Sequence, residues 1–342
     1  MDKLKLTLLS DEKAKLASNR AIYPRAYEEY LKGRDSWWQF SEDGIKDAIL
    51  HFRRALDIEP NYAPAQAGLA MSYIAASTWV QLWPSREGVL KGKEIALRTI
   101  ESNPMLADGY IALAQALFNF DWDWEGAERA LRRALELNPS SSIALDTYGN
   151  WLTAQGRFDE AISVQNQALE LDPLSPALYN DLGIIYWEFR QFDRAIPHFR
   201  KALELDRNFY YSRNLLGLAY LWTGKRAEAK AEFQALAQAA PDLPWVQGAL
   251  GYFYSLTGRP EEAGKALANL DRLADTRYVT HCARAMIYVG LDQKSLALDW
   301  LEKAVDDHDG WMWDINVTPW WDPLRNEPRF QALVKKMGLG KS

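Results

Sequence analysis

Alanines fall at Ala127, Ala161, Ala195, Ala229, Ala263 and Ala297, each 34 residues after the last. A second column, Gly149, Gly183, Gly217 and Gly251, keeps the same period. No feature constrains the fold more, because self-similarity at a fixed short period is the mark of stacked supersecondary units. Within each unit, apolar residues recur three and four apart in two successive blocks, which is helical periodicity. Gly156, Gly224 and Gly258 sit between the blocks, where a left-handed residue ends the first helix. Pro139 and Pro173 follow the second block, and Ser175-Pro176 reads as an N-cap and first helical position that restarts the next pair. The small columns mark where paired helices cross closely, so a bulky side chain there should overpack the crossing.

The segment Ala177 to Asp206 shows the motif most fully: Tyr179, Leu182, Gly183 and Tyr186, then Ala195, Phe199 and Ala202. This resembles the tetratricopeptide repeat, with its W-x2-L-G-x2-Y, A-x3-F and late Pro. The resemblance covers nearly the whole chain. It implies an all-α superhelical solenoid of about eight helix-turn-helix repeats with a C-terminal capping helix. We divide the chain into a lead segment 1–25, an array 26–309 with inserts near 35–43 and 79–89, and a tryptophan-rich cap 310–342. The expected shape is an elongated stack without a central core. One extra residue falls in the turn Asp121-Trp122-Asp123-Trp124, and Gly92 replaces the column alanine.

Composition narrows the functions. Forty Lys and Arg against 46 Asp and Glu leave a net charge of −6, which supplies no overall positive field for direct nucleic-acid binding. No stretch approaches the roughly 20 apolar residues that cross a bilayer, and Met1 to Leu16 is too weakly apolar for a secretory core. A single cysteine, Cys282, forms no intrachain disulfide, and a cytoplasmic setting is expected, with the Asn316-Val317-Thr318 sequon unglycosylated. The oligomeric state is not readable.

No catalytic residues, metal ligands or cofactor site emerge. His51 and His198 occupy equivalent places in distant units, and His281 beside Cys282 lacks ligand spacing. Asp306-Asp307-His308-Asp309 reads as a polar helix exit, and Asp121 to Trp124 as a stapled turn with acids at a helix start. Phosphate-binding loops and nucleophile elbows are absent.

In the resembled family the first helices line a concave groove that meets a protein segment or peptide. Carried over column by column, this implies a groove of Phe118, Asn150, Asn180, Ile184, Trp187, Tyr211, Asn214, Leu218, Trp222, Trp245 and Tyr252, with Met71 and Ile74 upstream. The family's chaperone-binding arrays hold a carboxylate with basic partners, which these columns lack. The groove is instead apolar and aromatic, with Asn150, Asn180 and Asn214 as a ladder able to hold a peptide backbone.

There are 15 tryptophans, and such residues are buried, stacked or presented to a partner. Four fall in Gly310-Trp311-Met312-Trp313 and Pro319-Trp320-Trp321-Asp322-Pro323, read as a cover over the last helix pair.

Leu8 to Lys13, Ala26 to Arg34, Phe120 to Trp124 with Ala127 to Arg129, and the C-terminal runs Gly310 to Met312, Asp322 to Arg325 and Pro328 to Phe330 resemble C-terminal repeat arrays of bacterial multidomain signalling proteins. The expected function is a non-catalytic protein-interaction scaffold in bacterial regulation. A second reading is a sensory module in which a small ligand changes solenoid curvature. An enzyme would need acid–base pairs converging in the groove, and the sequence reveals none.

Overall fold

The computed structural model describes residues 24–39 and 41–340; the lead segment through residue 23, with the Leu8 to Lys13 stretch, lies outside them. Among the described residues, seventeen α-helices form eight antiparallel pairs and one terminal helix. The pairs are α1 (Pro24–Trp37) with α2 (Glu42–Ile58), α3 (Ala63–Thr78) with α4 (Ser85–Ser102), α5 (Ala107–Ala116) with α6 (Trp124–Leu137), and α7 (Ser142–Ala154) with α8 (Phe158–Leu171). They continue as α9 (Pro176–Glu188) with α10 (Phe192–Leu205), α11 (Tyr210–Trp222) with α12 (Arg226–Ala239), α13 (Pro244–Leu256) with α14 (Pro260–Ala274), and α15 (His281–Gly290) with α16 (Lys294–Asp306). Short 3-10 turns, Gly310–Met312 and Pro319–Leu324, lead to α17 (Pro328–Lys336).

The repeat chemistry builds each pair. Ser41, Asp123, Ser141, Ser175 and Thr280 cap helix starts by accepting backbone N–H bonds. The turn between the two helices ends in a left-handed residue at Trp122, Gly156, Arg190, Gly224, Gly258 and Asp292, again 34 apart. The extra residue of the third unit is absorbed by a π turn, Leu117–Asp121, so the left-handed column stays in register at Trp122. The glycine column lets second-helix side chains dock: a Cβ at Gly183 would lie 2.6 Å from the Phe199 ring, and one at Gly217 would lie 2.8 Å from Phe233. At Gly92 a Cβ would meet Ile74 at 2.6 Å, which explains why glycine stands in the alanine column there. The six column alanines are all fully buried.

The array is not an open stack. After α16 the chain turns back inside the superhelix, and a continuous apolar core joins Phe118, Trp151, Trp187, Leu218 and Trp245 to Trp311, Trp313, Trp320, Trp321 and Leu339. Trp313 packs on Trp79 and Phe118, near the opposite end of the array, at ring separations of 6.4 and 6.3 Å. Segment 310–324 therefore lies along the inner face. The part that covers the outside of the last pair is α17, through Arg329 to Asp299 and Glu302, and Lys336 to Asp306. Trp124 Nε1 donates to the Met337 carbonyl at 2.7 Å, and Arg277 pairs with Glu42 across the closed superhelix.

Candidate functional site

The inner face and segment 310–324 enclose a chamber of about 810 Å3. A volume of this size suits a compact ligand. Six of the eleven residues expected in the groove line it: Phe118, Asn150, Asn180, Ile184, Tyr211 and Trp245. The other five are placed elsewhere. Trp187 is buried between Trp222 and Trp320, at 5.4 and 5.3 Å, and Trp222 also packs on Phe192. Leu218 is fully buried, Tyr252 is covered near Gly290, and Asn214 is buried with neither amide atom hydrogen-bonded. Met71 and Ile74 are buried in the N-terminal core.

Two of the asparagines face a carboxylate rather than open space. Asn180 Nδ2 donates to Asp181 Oδ1 at 2.8 Å and Asn150 Nδ2 donates to Asp181 Oδ2 at 3.2 Å. Ser212 Oγ donates to Asn180 Oδ1 at 2.7 Å, which fixes the amide's orientation. Asp146, held by Gln165 Nε2 at 2.8 Å, lies against Asp181. Burial and the adjacent Asp181 charge push Asp146 well above the usual carboxylate range, and burial pushes Asp181 up as well.

A second acidic pair joins segment 310–324 to α9. Burial first, then the neighbouring Asp314, raises Glu188, while burial raises Asp314 to about 7. Both pairs escaped the sequence reading, which found no converging acids in the groove. One signal was available. Counting 34 residues back from Asn180 lands on Asp146, whereas Asn150 belongs to the column of Ile184 and Leu218, one helical turn onward. Glu188 and Asp314 had no such signal, because Asp314 lies beyond the repeats.

The histidines have structural partners. His308 Nδ1 donates to the Phe120 carbonyl at 2.6 Å and its ring stacks on Trp122 at 4.3 Å; His281 meets Asp307 at 2.7 Å. His51 meets Glu29 at 2.8 Å, and His198 stacks on Tyr186 at 5.3 Å. Asp309 receives Thr280 and the His281 N–H, organising the exit from α16. Among the described residues, no group of three His, Cys, Asp or Glu side chains could hold a metal ion, and no helix is long and apolar enough to cross a membrane.

Two family models, each described as Tetratricopeptide repeat, match residues 141–208 and 186–244. The chain is a tetratricopeptide repeat protein. No curated protein matches it. Among solved structures, the human IFIT1 dimer with m7Gppp-AAAA is 17% identical with a TM-score of 0.58, over 77% of this chain and 68% of that one. The APC/C hetero-tetramer Cut9-Hcn1 is 18% identical at 0.55, over 86% and 52%. Pseudomonas aeruginosa pilF is 20% identical at 0.48, over 63% and 92%. The first two share the tetratricopeptide superhelix. In this tetratricopeptide chain the inner surface is partly occupied by its own tryptophan-rich segment, so the accessible part is a bounded chamber with acidic and aromatic walls.

Proposed function

We propose that this chain is a non-catalytic interaction scaffold that binds a compact ligand, a small molecule or the end of a protein segment, in its central chamber. The observation that carries the reading is segment 310–324 lying along the concave face, with Trp311 against Tyr211 and Trp245, and Trp320 against Trp187. An extended peptide running the length of the groove would have to displace these rings. A compact ligand needs no displacement, and the 810 Å3 chamber is of matching size. Between the two readings taken from the sequence, this supports the ligand-binding module over the through-running peptide channel. The likeness to repeat arrays of bacterial signalling proteins supports a regulatory setting, in which occupancy changes the curvature of a closed superhelix. IFIT1 was solved with m7Gppp-AAAA, but a triphosphate is ill-suited to a chamber lined by seven carboxyl side chains and a single guanidinium.

The test is a titration with amines, amino acids, nucleosides and short peptides, read by tryptophan fluorescence. A saturable change that disappears in Asn180→Ala with Trp245→Ala, at unchanged helicity, supports the reading. Silence towards all of them, together with capture of long extended segments, overturns it.

A further inference from the structure

We infer that the ligand of the chamber carries an ammonium or guanidinium group on an apolar body, with the lining acceptors Asp314 and Asn119 as the places where a cation is received. The inference rests on the compact-ligand reading above and adds the chemical class.

Charge comes first. Asp146, Asp181 and Asp314, with Glu42, Asp43, Asp206 and Asp242, all belong to the lining. Arg277 is the one basic side chain lining the chamber among the described residues. Glu42 and the Asp242 carbonyl already engage it. An anion entering here would meet seven carboxyl groups and one guanidinium that is already engaged.

Unpartnered acceptors come next. Asp314 is 6% exposed, and apart from the neighbouring Glu188 carboxyl its Oδ1 has no donor. Asn119 is 1% exposed; its Nδ2 donates to the Gln115 carbonyl at 2.8 Å, so the oxygen is the free end, and it too lacks a partner. Buried acceptors without donors are costly, and a neutral apolar ligand would leave them so. A cation with several N–H groups can donate to either. Trp320 Nε1, an unpartnered donor on the same lining, has room for one acceptor on the ligand body.

The walls suit the same ligand. Tyr211, Trp245 and Trp311 form a triangle with ring separations of 5.9 to 6.3 Å, and Trp320 lies 6.0 Å from Trp311. Elsewhere in the chain Arg and Lys side chains cover aromatic rings, as Arg194 covers Tyr186 at 4.3 Å and Lys303 covers Trp300 at 4.0 Å. Among the described residues no Arg or Lys lies over Tyr211, Trp245, Trp311, Trp313 or Trp320, so a cation from outside would be the first to meet these rings.

Proton linkage follows. Asp314 is faced by Glu188 from α9, Tyr211 from α11, Cys282 from α15 and Arg325 beyond the second 3-10 turn, with Arg190 beside Glu188. A bound cation favours the ionised carboxylates, so binding releases protons and tightens as pH rises through the range where Asp314 titrates.

The experiment is calorimetric titration of the full chain. Phenethylamine, hexylamine and agmatine represent free amines, and acetyl-Phe-Lys-amide represents the end of a peptide. 2-Phenylethanol and phenylacetate are the neutral and anionic counterparts. At least one cation should bind about tenfold tighter than its counterparts, and its affinity should rise about tenfold from about pH 6 to pH 8 with proton release. Asp314→Asn and Asn119→Leu should each weaken it by about tenfold or more. Should a variant fold poorly, the pH profile and proton release of the unaltered protein decide. Preference for the free amines over the peptide, or the reverse, identifies the source. Equal or tighter binding of 2-phenylethanol or phenylacetate overturns the cation assignment while the compact-ligand reading stands. Binding of no member of the panel overturns the assignment as well.

Discussion

Replacing Gly183 by alanine should destabilise the protein, whereas the same change at Gly264 should stabilise it. Both glycines sit inside helices, α9 and α14, so each substitution gains about 0.5–1 kcal/mol of helix propensity. What differs is the neighbour. A Cβ at position 183 would lie 2.6 and 2.7 Å from Phe199 Cε1 and Cδ1, and that ring is fully buried with no free side to retreat into. Overpacking of this kind costs roughly 1–3 kcal/mol. Around Gly264 nothing lies within 4 Å. The net expectation is a loss of up to about 2.5 kcal/mol for Gly183→Ala and a gain of about 0.5–1 kcal/mol for Gly264→Ala. The two variants then differ by about 1–3 kcal/mol, roughly 5- to 160-fold in the unfolding equilibrium. Urea unfolding followed by helix signal and tryptophan fluorescence measures it, provided the denaturant slopes agree. Phe199→Leu in the Gly183→Ala background should recover part of the loss, a coupling that distant sites do not show. A Gly183→Ala protein as stable as Gly264→Ala would refute the assignment of the glycine column to ring docking.

The same packing register makes Ala195→Leu clearly more destabilising than Ala231→Leu, since Ala195 is fully buried and Ala231 exposed; equal melting temperatures would be inconsistent with it. In the left-handed turn column, Gly224→Ala should cost about 1 kcal/mol from backbone conformation alone, and Asp292→Gly should gain a similar amount in urea unfolding. Asp314, raised to about 7 by burial, stays protonated in the fold at pH values where the unfolded chain has already lost that proton. Stability it supports is therefore present below about pH 4 and declines as pH rises towards 7. Asp314→Asn should consequently stabilise the protein at pH 8 relative to its effect at pH 5, and a pH-independent difference in melting temperature would count against the buried carboxyl pair.

The repeats were legible because each of their requirements is local. A helix crossing needs a small residue, a turn needs a left-handed one, a helix start needs a cap, and all recur at one spacing. Even the irregular third unit obeys, since the π turn at Leu117–Asp121 restores the register at Trp122. The chamber was not legible to the same degree. Its rear wall is made by Trp311, Trp313 and Trp320, whose ring partners Tyr211, Phe118 and Trp187 lie far back in the chain, beyond any periodic signal. The polar lining was obscured for a different reason. Asn150 and Asn180 read as a ladder facing outward to a ligand, yet both are engaged by Asp181, whose carboxyl no spacing rule brought forward.

The turn column also bears on how the inner segment is held. Glycine occupies the left-handed position at Gly156, Gly224 and Gly258, while Trp122, Arg190 and Asp292 take it at a cost of about 1–2 kcal/mol each. Two of these three side chains touch the returning chain: Trp122 stacks on His308, and Arg190 donates to the Val317 carbonyl at 2.6 Å and pairs with Asp322. Backbone strain is thus retained where the side chain anchors the segment that closes the chamber. Arg190→Gly separates the two contributions. Relief of the turn offsets the lost surface pair, so the urea midpoint of the helix signal should stay near that of the parent protein. The segment itself should loosen, seen as faster hydrogen exchange of amides in 310–324 while those of α9 keep their protection. Unchanged exchange in 310–324 would mean that Trp320 and its neighbours hold the segment without Arg190, and that the strained residue anchors nothing.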